Sequence, residues 1–512
     1  MLDKHDWVVG KVLAAQARLR GGSPFLQFED GPPQTYSAVD AVANRVARGL
    51  AKLGVRHGDH VGVFMPNTLD HCYLWFGINR LGAVHVAINA AYRGAFLSHV
   101  LSNAACKIIV CDPALRPRVD EILDELPHPP RLFDSLAPLL DDSPLPVDAE
   151  VSYRDVSTIM YTSGTTGPSK GVLMPHAHNY LFGLGVVENL RLTQNDTYYV
   201  CMPLFHANAL FLQVYSTLIA GGRVVVVPRF SASSWIDDIR RYQCTVTNTL
   251  GVMAEFILRQ PARPQDADSA LRLVLAVPAP PSLAPAFRAR FGCQMLEAYG
   301  MTEVNIPLYS PLDAVRDGSC GKVYDRYFEV RVVDPDSDEE LPPGEIGEIV
   351  VRPREPFGFN LGYHAMPEKT VEAWRNFWFH TGDAGRRDRD GYFYFVDRIK
   401  DCIRRRGENI SSYEIESVLT THPAVAEAAA IAVKSEIAGG EDEVKVCLVL
   451  KPGAQVTFEA LAEYCTLRMP AFAVPRYFEL SDRLPRTPTE KIQKALLRAA
   501  GIAPTTWDRL GK

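Results

Sequence analysis

The stretch Tyr161 to Val172, YTSGTTGPSKGV, crowds three glycines (Gly164, Gly167, Gly171), the hydroxyls of Thr162, Ser163, Thr165 and Thr166, and Lys170 together. It cannot build a core. Free backbone N–H groups, hydroxyls and one ammonium are the donors that a phosphate needs. A flexible linker has a similar composition. The spacing excludes a Walker A loop, because Lys170 lies three residues beyond Gly167 and is followed by Gly171.

Five further stretches carry chemistry, each with a plainer alternative. In YGMTE, Tyr299, Gly300, Met301, Thr302 and Glu303 offer a ring to stack a base, a close backbone approach, a hydroxyl and a metal-binding carboxylate. A simple turn explains the same five residues. In WFHTGD, Asp383 has the acceptors for two ribose hydroxyls, although a lone Asp before a hairpin is also an ordinary turn residue. In PLFHANAL, His206 stands between Phe205 and a helix start, where a histidine is more often structural than catalytic. The segment DRIKDCIRRRGENIS holds Arg398, Lys400, Arg404, Arg405 and Arg406. That run reads as a solvated face, or as a hinge that coincides with a polyanion site. Lys491 precedes a terminal amphipathic helix, where a lysine is ordinarily exposed.

The elements that must position these residues are legible in the periodicity. HVGVFM, AVHVAI and KIIVCD are short apolar strands, separated by helical patterns over 69–82 and 93–104. This alternation predicts parallel strands with right-handed crossovers. VSTIMY (156–161) is a strand that runs straight into the glycine stretch, at the strand end where open α/β sheets bind ligands. The unit repeats as TYYVCMP, a helix over NALFLQVYSTLIA with a Gly221–Gly222 stop, and RVVVVP. Strands at 244–250 and 271–277 and a helix at 282–291 follow, and YGMTE is read as the loop after the short strand CQMLEA. From about residue 320 the pattern becomes two-residue alternation with turns at Asp334–Glu340 and Asp388–Gly391, which predicts antiparallel strands and a small β-barrel. After Asp397 a compact α+β unit begins: a capping box Ser411-x-x-Glu414 on a helix at 412–421, strands at 425–433 and 443–451, and helices at 457–467 and 490–499.

The 512 residues imply roughly two to four structural units. Hydrophobic content of 47% and charged content of 22% are those of an ordinary globular protein. The net charge of −6 argues against bulk binding to nucleic acid or an anionic membrane, so any anion site must be local. Ten scattered cysteines without a C-x-x-C pair fit reduced, buried thiols. No signal peptide is visible, and no apolar run approaches the ~20 residues of a membrane span. The expectation is a cytoplasmic protein.

Taken in order and at these intervals, the glycine stretch, YGMTE, HTGD, the DR-x-K-D…GENIS block and Lys491 resemble the adenylate-forming superfamily of acyl-CoA synthetases, adenylation domains and luciferases. The resemblance covers essentially the whole chain. EAWRNFWFHTGD and DCIRRRGENISS look most like the bacterial carnitine/crotonobetaine-CoA ligase-like branch. The resemblance implies an α/β fold: two α/β subdomains and a small β-barrel in residues 1–397, then a mobile α+β lid in 398–512. It implies that a carboxylic acid attacks Mg-ATP to give an acyl-adenylate and pyrophosphate, after which the thiol of coenzyme A displaces AMP. By position, Thr162, Ser163, Gly164, Thr165, Thr166, Gly167 and Lys170 wrap the β- and γ-phosphates. Tyr299 with Gly300 and Met301 borders adenine, opposite Ala279 and Pro280. Thr302 touches the α-phosphate, Glu303 and Thr166 serve Mg2+, and Asp383 with Arg398 holds the ribose. Lys491 bridges carboxylate and α-phosphate. Lys400 is the hinge; Arg404, Arg406, Gly407 and Glu408 face the thiol substrate after the lid turns. The acyl pocket draws on Phe205, His206, Asn208, Asn248 and Thr249, a partly polar mixture suited to a small or medium acid. Dimers occur among such relatives.

Two positions depart from the family pattern. Glu490 replaces the usual glycine before the lysine, and Val277 and Pro278 stand where glycines are common. An acid beside a phosphate-binding lysine repels ATP or raises the lysine's pKa unless it points to solvent. Neither departure removes a ligand. Two alternatives to a CoA ligase stay open: an adenylate-forming enzyme that passes its acyl group to a carrier-protein pantetheine or another nucleophile, and a nucleotide-binding homologue without turnover. The presence of Thr302, Glu303, Asp383 and Lys491 argues against the last.

Overall fold

The computed structural model describes residues 3–143, 149–162, 168–277, 283–398, 402–405, 408–435, 441–485, 492 and 494–511. His60–Phe64, Val84–Ala87 and Ile108–Cys111 are parallel strands linked through the helices Leu69–Arg80 and Gly94–Ala104. Their unbroken apolar runs are what a sheet covered on both faces requires. They form the centre of a six-stranded sheet, bounded by Arg131–Phe133 on one side and by Val156–Thr162 and then Lys170–Pro175 on the other. The last two strands are antiparallel, with Thr162 opposite Lys170, so the glycine stretch joins the arms of a hairpin.

A nine-stranded sheet carries the second α/β unit. Its parallel centre runs Pro24–Phe28, Arg223–Val226, Thr197–Val200, Val246–Thr249, Leu273–Ala276, Gln294–Met301. Asn305–Tyr309 turns back antiparallel on its edge. The sequence reading placed Tyr299 to Met301 in a loop, but the strand continues through them. It bulges at Gly300, where a Cβ would lie 2.1 Å from the Asn305 carbonyl oxygen, so only glycine allows the two arms so close. The helix expected over 208–220 is split into a π-helix, Asn208–Tyr215, and an α-helix, Ser216–Ala220. Where they join, the hydroxyls of Ser216 and Thr217 donate back to the carbonyls of Leu212 (2.5 Å) and Gln213 (2.6 Å). The chain stops at Gly221, φ 81°, as its glycine predicts.

The alternating region is a five-stranded antiparallel sheet: Phe328–Val333, Gly347–Pro353, Trp378–Arg387, with Trp374–Arg375 and Phe393–Arg398 both paired to the long third strand. Among the described residues, no pairing closes it into a ring. Asp383 lies within the long strand, opposite Arg398, rather than ahead of a hairpin.

The C-terminal unit contains the hairpin Cys402–Arg405/Glu408–Ser411, the helix Ser412–Thr420 and a four-stranded sheet flanked by Phe458–Arg468 and Lys494–Ala500. One apolar cluster runs from the outer face of the six-stranded sheet into this unit, joining Phe64, Val86 and Ile109 to Ile403, Val446 and Phe478. Arg93 donates to the Thr466 carbonyl (2.8 Å), and the Gly94 backbone (φ 51°) lies so close to Arg468 that a Cβ would sit 3.1 Å from its oxygen. Among the described residues, no helix is long and apolar enough to cross a membrane, and nine cysteines are buried and unbridged.

Candidate active site

A cavity of about 720 Å³ opens where the carboxyl ends of both parallel sheets meet the five-stranded sheet and the C-terminal unit. This is the crevice where open α/β folds place ligands. Thr162 and Lys170 reach it from the hairpin of the glycine stretch, Tyr299 to Glu303 from the bulged strand, Asp383 from the long strand, and Ile410, Glu414 and Phe472 from the C-terminal unit. Sequence-distant motifs therefore share one wall.

Glu303 is the best-defined centre of the side next to the glycine stretch. It is buried, and its Oε1 accepts from the Thr162 hydroxyl and from the Tyr363 phenol, each at 3.1 Å. The Tyr363 ring also carries the Lys170 ammonium, 4.2 Å from its centroid. Tyr363 is held there because its segment lies along the second arm of the hairpin: Leu173 donates to Gly362 O (2.9 Å) and His364 to Gly171 O (2.7 Å). Asn360 donates to the Glu303 carbonyl at 2.8 Å. His178, fully buried, has Nε2 3.0 Å from the Thr302 carbonyl, while Asn305 Nδ2 approaches its Nδ1 at 3.4 Å. The Gly358 carbonyl also lies 3.3 Å from Nδ1, so two carbonyls face the ring and a neutral imidazole donates to one of them. Burial pushes the imidazole pKa down to about 4, so it is a neutral strut under the loop.

On the side expected to receive a nucleoside, Tyr299 and Asp383 meet directly. The phenol donates to Asp383 Oδ2 at 2.7 Å, and the Tyr299 ring lies near-parallel to Phe395, 6.3 Å away. Asp383 is oriented from its own strand: its N–H donates to Thr381 Oγ1 (3.1 Å), and Gly382 N–H donates to Glu348 Oε1 (2.9 Å). Val277 borders the same cavity.

The side expected to hold an acyl group is bounded by Phe182, Met202, Phe205, His206, Asn208 and Leu212. The rings of Phe205 and His206 are 4.6 Å apart. Asn248 and Thr249 are fully buried and do not reach the wall. Asn248 acts behind it, accepting from Tyr198 OH (2.6 Å) and donating to Asn208 Oδ1 (2.7 Å), so Asn208 alone of these presents the polar chain to the cavity.

Two expectations change. Arg405, read as part of a basic run that is a solvated face or a polyanion site, is buried. It donates to the carbonyls of Phe472 (3.0 Å) and Val474 (2.8 Å) and pairs with Glu443 at 2.8 Å, so it is a strut of the C-terminal unit. Glu414, read as half of a capping box, reaches across to the other unit: Ser169 N–H and Oγ–H both donate to its Oε1 at 2.7 Å. Burial pushes its carboxyl up to about 7 against the opposing effect of those two bonds.

Ser163, Gly164, Thr165, Thr166, Gly167, Ala279, Pro280, Lys400, Arg406, Gly407 and Lys491 lie outside the described residues, as does Glu490. For Arg398, Arg404 and Glu408 only the backbone is described, in the pairs Asp383–Arg398, Arg404–Asn409 and Arg405–Glu408. Sequence reasoning missed Tyr363, Asn360, His178 and Ser169. Only the first two carried a signal, in the polar positions around Gly362 of FNLGYH.

Residues 13–363 match the AMP-binding enzyme family, and residues 414–491 match the AMP-binding enzyme C-terminal domain. The chain is 32% identical over 492 residues to the crotonobetaine/carnitine–CoA ligase of Salmonella paratyphi B, covering 91% of this chain and 93% of that protein. It is similar to a double mutant of o-succinylbenzoate CoA synthetase from Bacillus subtilis bound to the product analogue OSB-NCoA, with TM-score 0.85, 27% identity, and 96% and 98% of the two chains covered. Against the Bacillus subtilis enzyme in complex with AMP the TM-score is 0.68, at the same identity and coverage.

Proposed function

Because the chain belongs to the AMP-binding enzymes, we propose that its cavity activates a small or medium carboxylic acid with ATP and that its C-terminal unit turns between the two halves of the reaction. The enzyme is an AMP-forming acid–thiol ligase: acid and ATP give an acyl-adenylate and pyrophosphate, and coenzyme A then takes the acyl group and releases AMP. The observation that carries the residue assignments is the convergence of Thr162, Lys170, Tyr299, Thr302, Glu303 and Asp383 on one cavity.

Acid and polyphosphate are both anions, so the first step is opposed by charge. Lys170 and the donors of the glycine stretch hold the outer phosphates, Thr302 meets the α-phosphate, and Lys491 comes from the C-terminal unit to the reacting carboxylate. Such donors are most effective where charge develops. The residues fit Mg2+: Glu303 offers a buried carboxylate beside the Thr162 hydroxyl, and hard oxygen donors are what that ion takes. No cluster of three His, Cys, Asp or Glu side chains occurs among the described residues, so phosphate oxygens and water must complete the shell. When bound, the ion supplies offsetting positive charge. Tyr299 and Asp383 receive the nucleoside, base against ring and ribose on carboxylate.

The acyl wall is mainly apolar, with Asn208 and His206 as polar points. It suits an acid with an apolar body and one polar group. The unit boundary lies at Asp397/Arg398, with Lys400 as hinge. The higher TM-score against the OSB-NCoA complex than against the AMP complex supports a thiol-accepting arrangement of the C-terminal unit, with Ile410, Glu414 and Phe472 on the cavity wall. The test is a panel of carboxylic acids with Mg-ATP, scored for AMP release with and without coenzyme A. CoA-dependent AMP release with at least one acid is expected; no release with any acid would refute the reading.

A further inference from the structure

We propose that Glu414 is a positioning residue whose carboxylate takes over the donors at the end of the phosphate-binding stretch once the C-terminal unit is in its thiol-accepting arrangement, and so excludes pyrophosphate from them. This rests on the reading of the cavity given above.

Ser169 lies two residues beyond Gly167 and directly before Lys170. It is buried, and both of its donors, N–H and Oγ–H, point to one oxygen of Glu414 at 2.7 Å. Its carbonyl is fixed by His99 Nε2 at 2.8 Å, so its donors have a set direction. Glu414 stands in the first turn of the helix Ser412–Thr420, on the other unit, 245 residues away in sequence. Two short donors on one anionic oxygen are what a phosphate oxygen would receive at this place. A half-buried carboxylate also repels a second anion more strongly than one in open water, because the lower local dielectric screens the repulsion less. Pyrophosphate and Glu414 are therefore competitors for the same end of the stretch. Once pyrophosphate has left, Glu414 satisfies Ser169, ties the glycine hairpin to the C-terminal unit, and opposes re-entry of pyrophosphate that would reverse the first half-reaction. A purely structural contact would not link this residue to pyrophosphate.

The test uses the full-length enzyme and inorganic pyrophosphate. The acyl-adenylate of the best acid in the panel is consumed by coenzyme A at increasing pyrophosphate. Glu414→Gln keeps the shape and an acceptor oxygen but removes the charge. It is expected to make pyrophosphate about tenfold more inhibitory, while acid-dependent exchange between ATP and pyrophosphate is retained. Glu414→Asp keeps the charge but shortens the reach, and is expected to shift inhibition the same way; it carries the test if the glutamine variant does not fold. An inhibition constant for pyrophosphate unchanged from wild type in a folded variant would overturn the proposal. Absence of exchange in the wild-type enzyme would instead overturn the functional reading beneath it.

Discussion

Tyr299 and Asp383 stand 84 residues apart and share a 2.7 Å hydrogen bond. A bond to a charged group is worth about 1.5–3 kcal/mol. Tyr299→Phe keeps the ring and removes the bond, so KM for ATP should rise about tenfold while KM for the acid stays put. Steady-state kinetics check this; an unchanged KM for ATP would show that the phenol does not orient Asp383. Lys491→Ala should lower adenylate formation by roughly 10²–10³ and spare thiol attack on a preformed adenylate, because one charged donor at a reacting centre is worth about that much. Single-turnover assays of each half separate the two; equal loss in both would contradict a lysine used only in the first. At this scale the sequence displayed those residues whose types show their chemistry before any partner is known. Thr302 and Glu303 are consecutive, and their types announce their chemistry. Tyr363 was hidden because it matters only through Glu303, Lys170 and a strand nearly two hundred residues earlier.

The elements show why the site holds its shape. The bulge at Gly300 turns the strand end so that Tyr299 faces Asp383 while Glu303 faces Thr162. Gly300→Ala would place a methyl 2.1 Å from Asn305 O. The arms must then separate, and both stability and ATP affinity should fall together, measurable by chemical denaturation and by nucleotide binding; a variant unchanged in both would refute the close approach. The helices and strands around the cavity also bury histidines. Burial lowers the pKa of His71 and His176 to about 3 and that of His178 to about 4, with His85 well below its ordinary value. The unfolded chain binds protons on these residues below about pH 6.5, and the folded chain does so on His71, His176 and His178 only near pH 3–4. Stability should therefore fall as pH drops from 6.5 toward 4, seen as a declining urea midpoint; a flat midpoint across that range would contradict neutral buried imidazoles. Parallel strands were readable from their apolar runs, and the C-terminal helix stop from Gly221. The extension of a strand into YGMTE as far as Met301 was not, because Gly300 is a loop former until a partner arm at Asn305–Tyr309 supplies the ladder.

At the scale of the whole molecule, two units close over one cavity and a single apolar cluster runs between them. The division near residue 397 is our proposal, drawn from the shift from alternating strands to a basic joint. Which faces meet was not legible: Arg405 turned inward and Glu414 outward to Ser169, choices fixed by packing between distant segments. Adenylate chemistry requires that the N-terminal cavity load an acid onto AMP before any thiol is present. Acid-dependent exchange of labelled pyrophosphate into ATP, measured without coenzyme A, reads that step alone. The enzyme should exchange label with at least one acid of the panel, with no exchange when acid or Mg2+ is omitted. An enzyme that releases AMP only when coenzyme A is added, and never exchanges label without it, would contradict an adenylate intermediate.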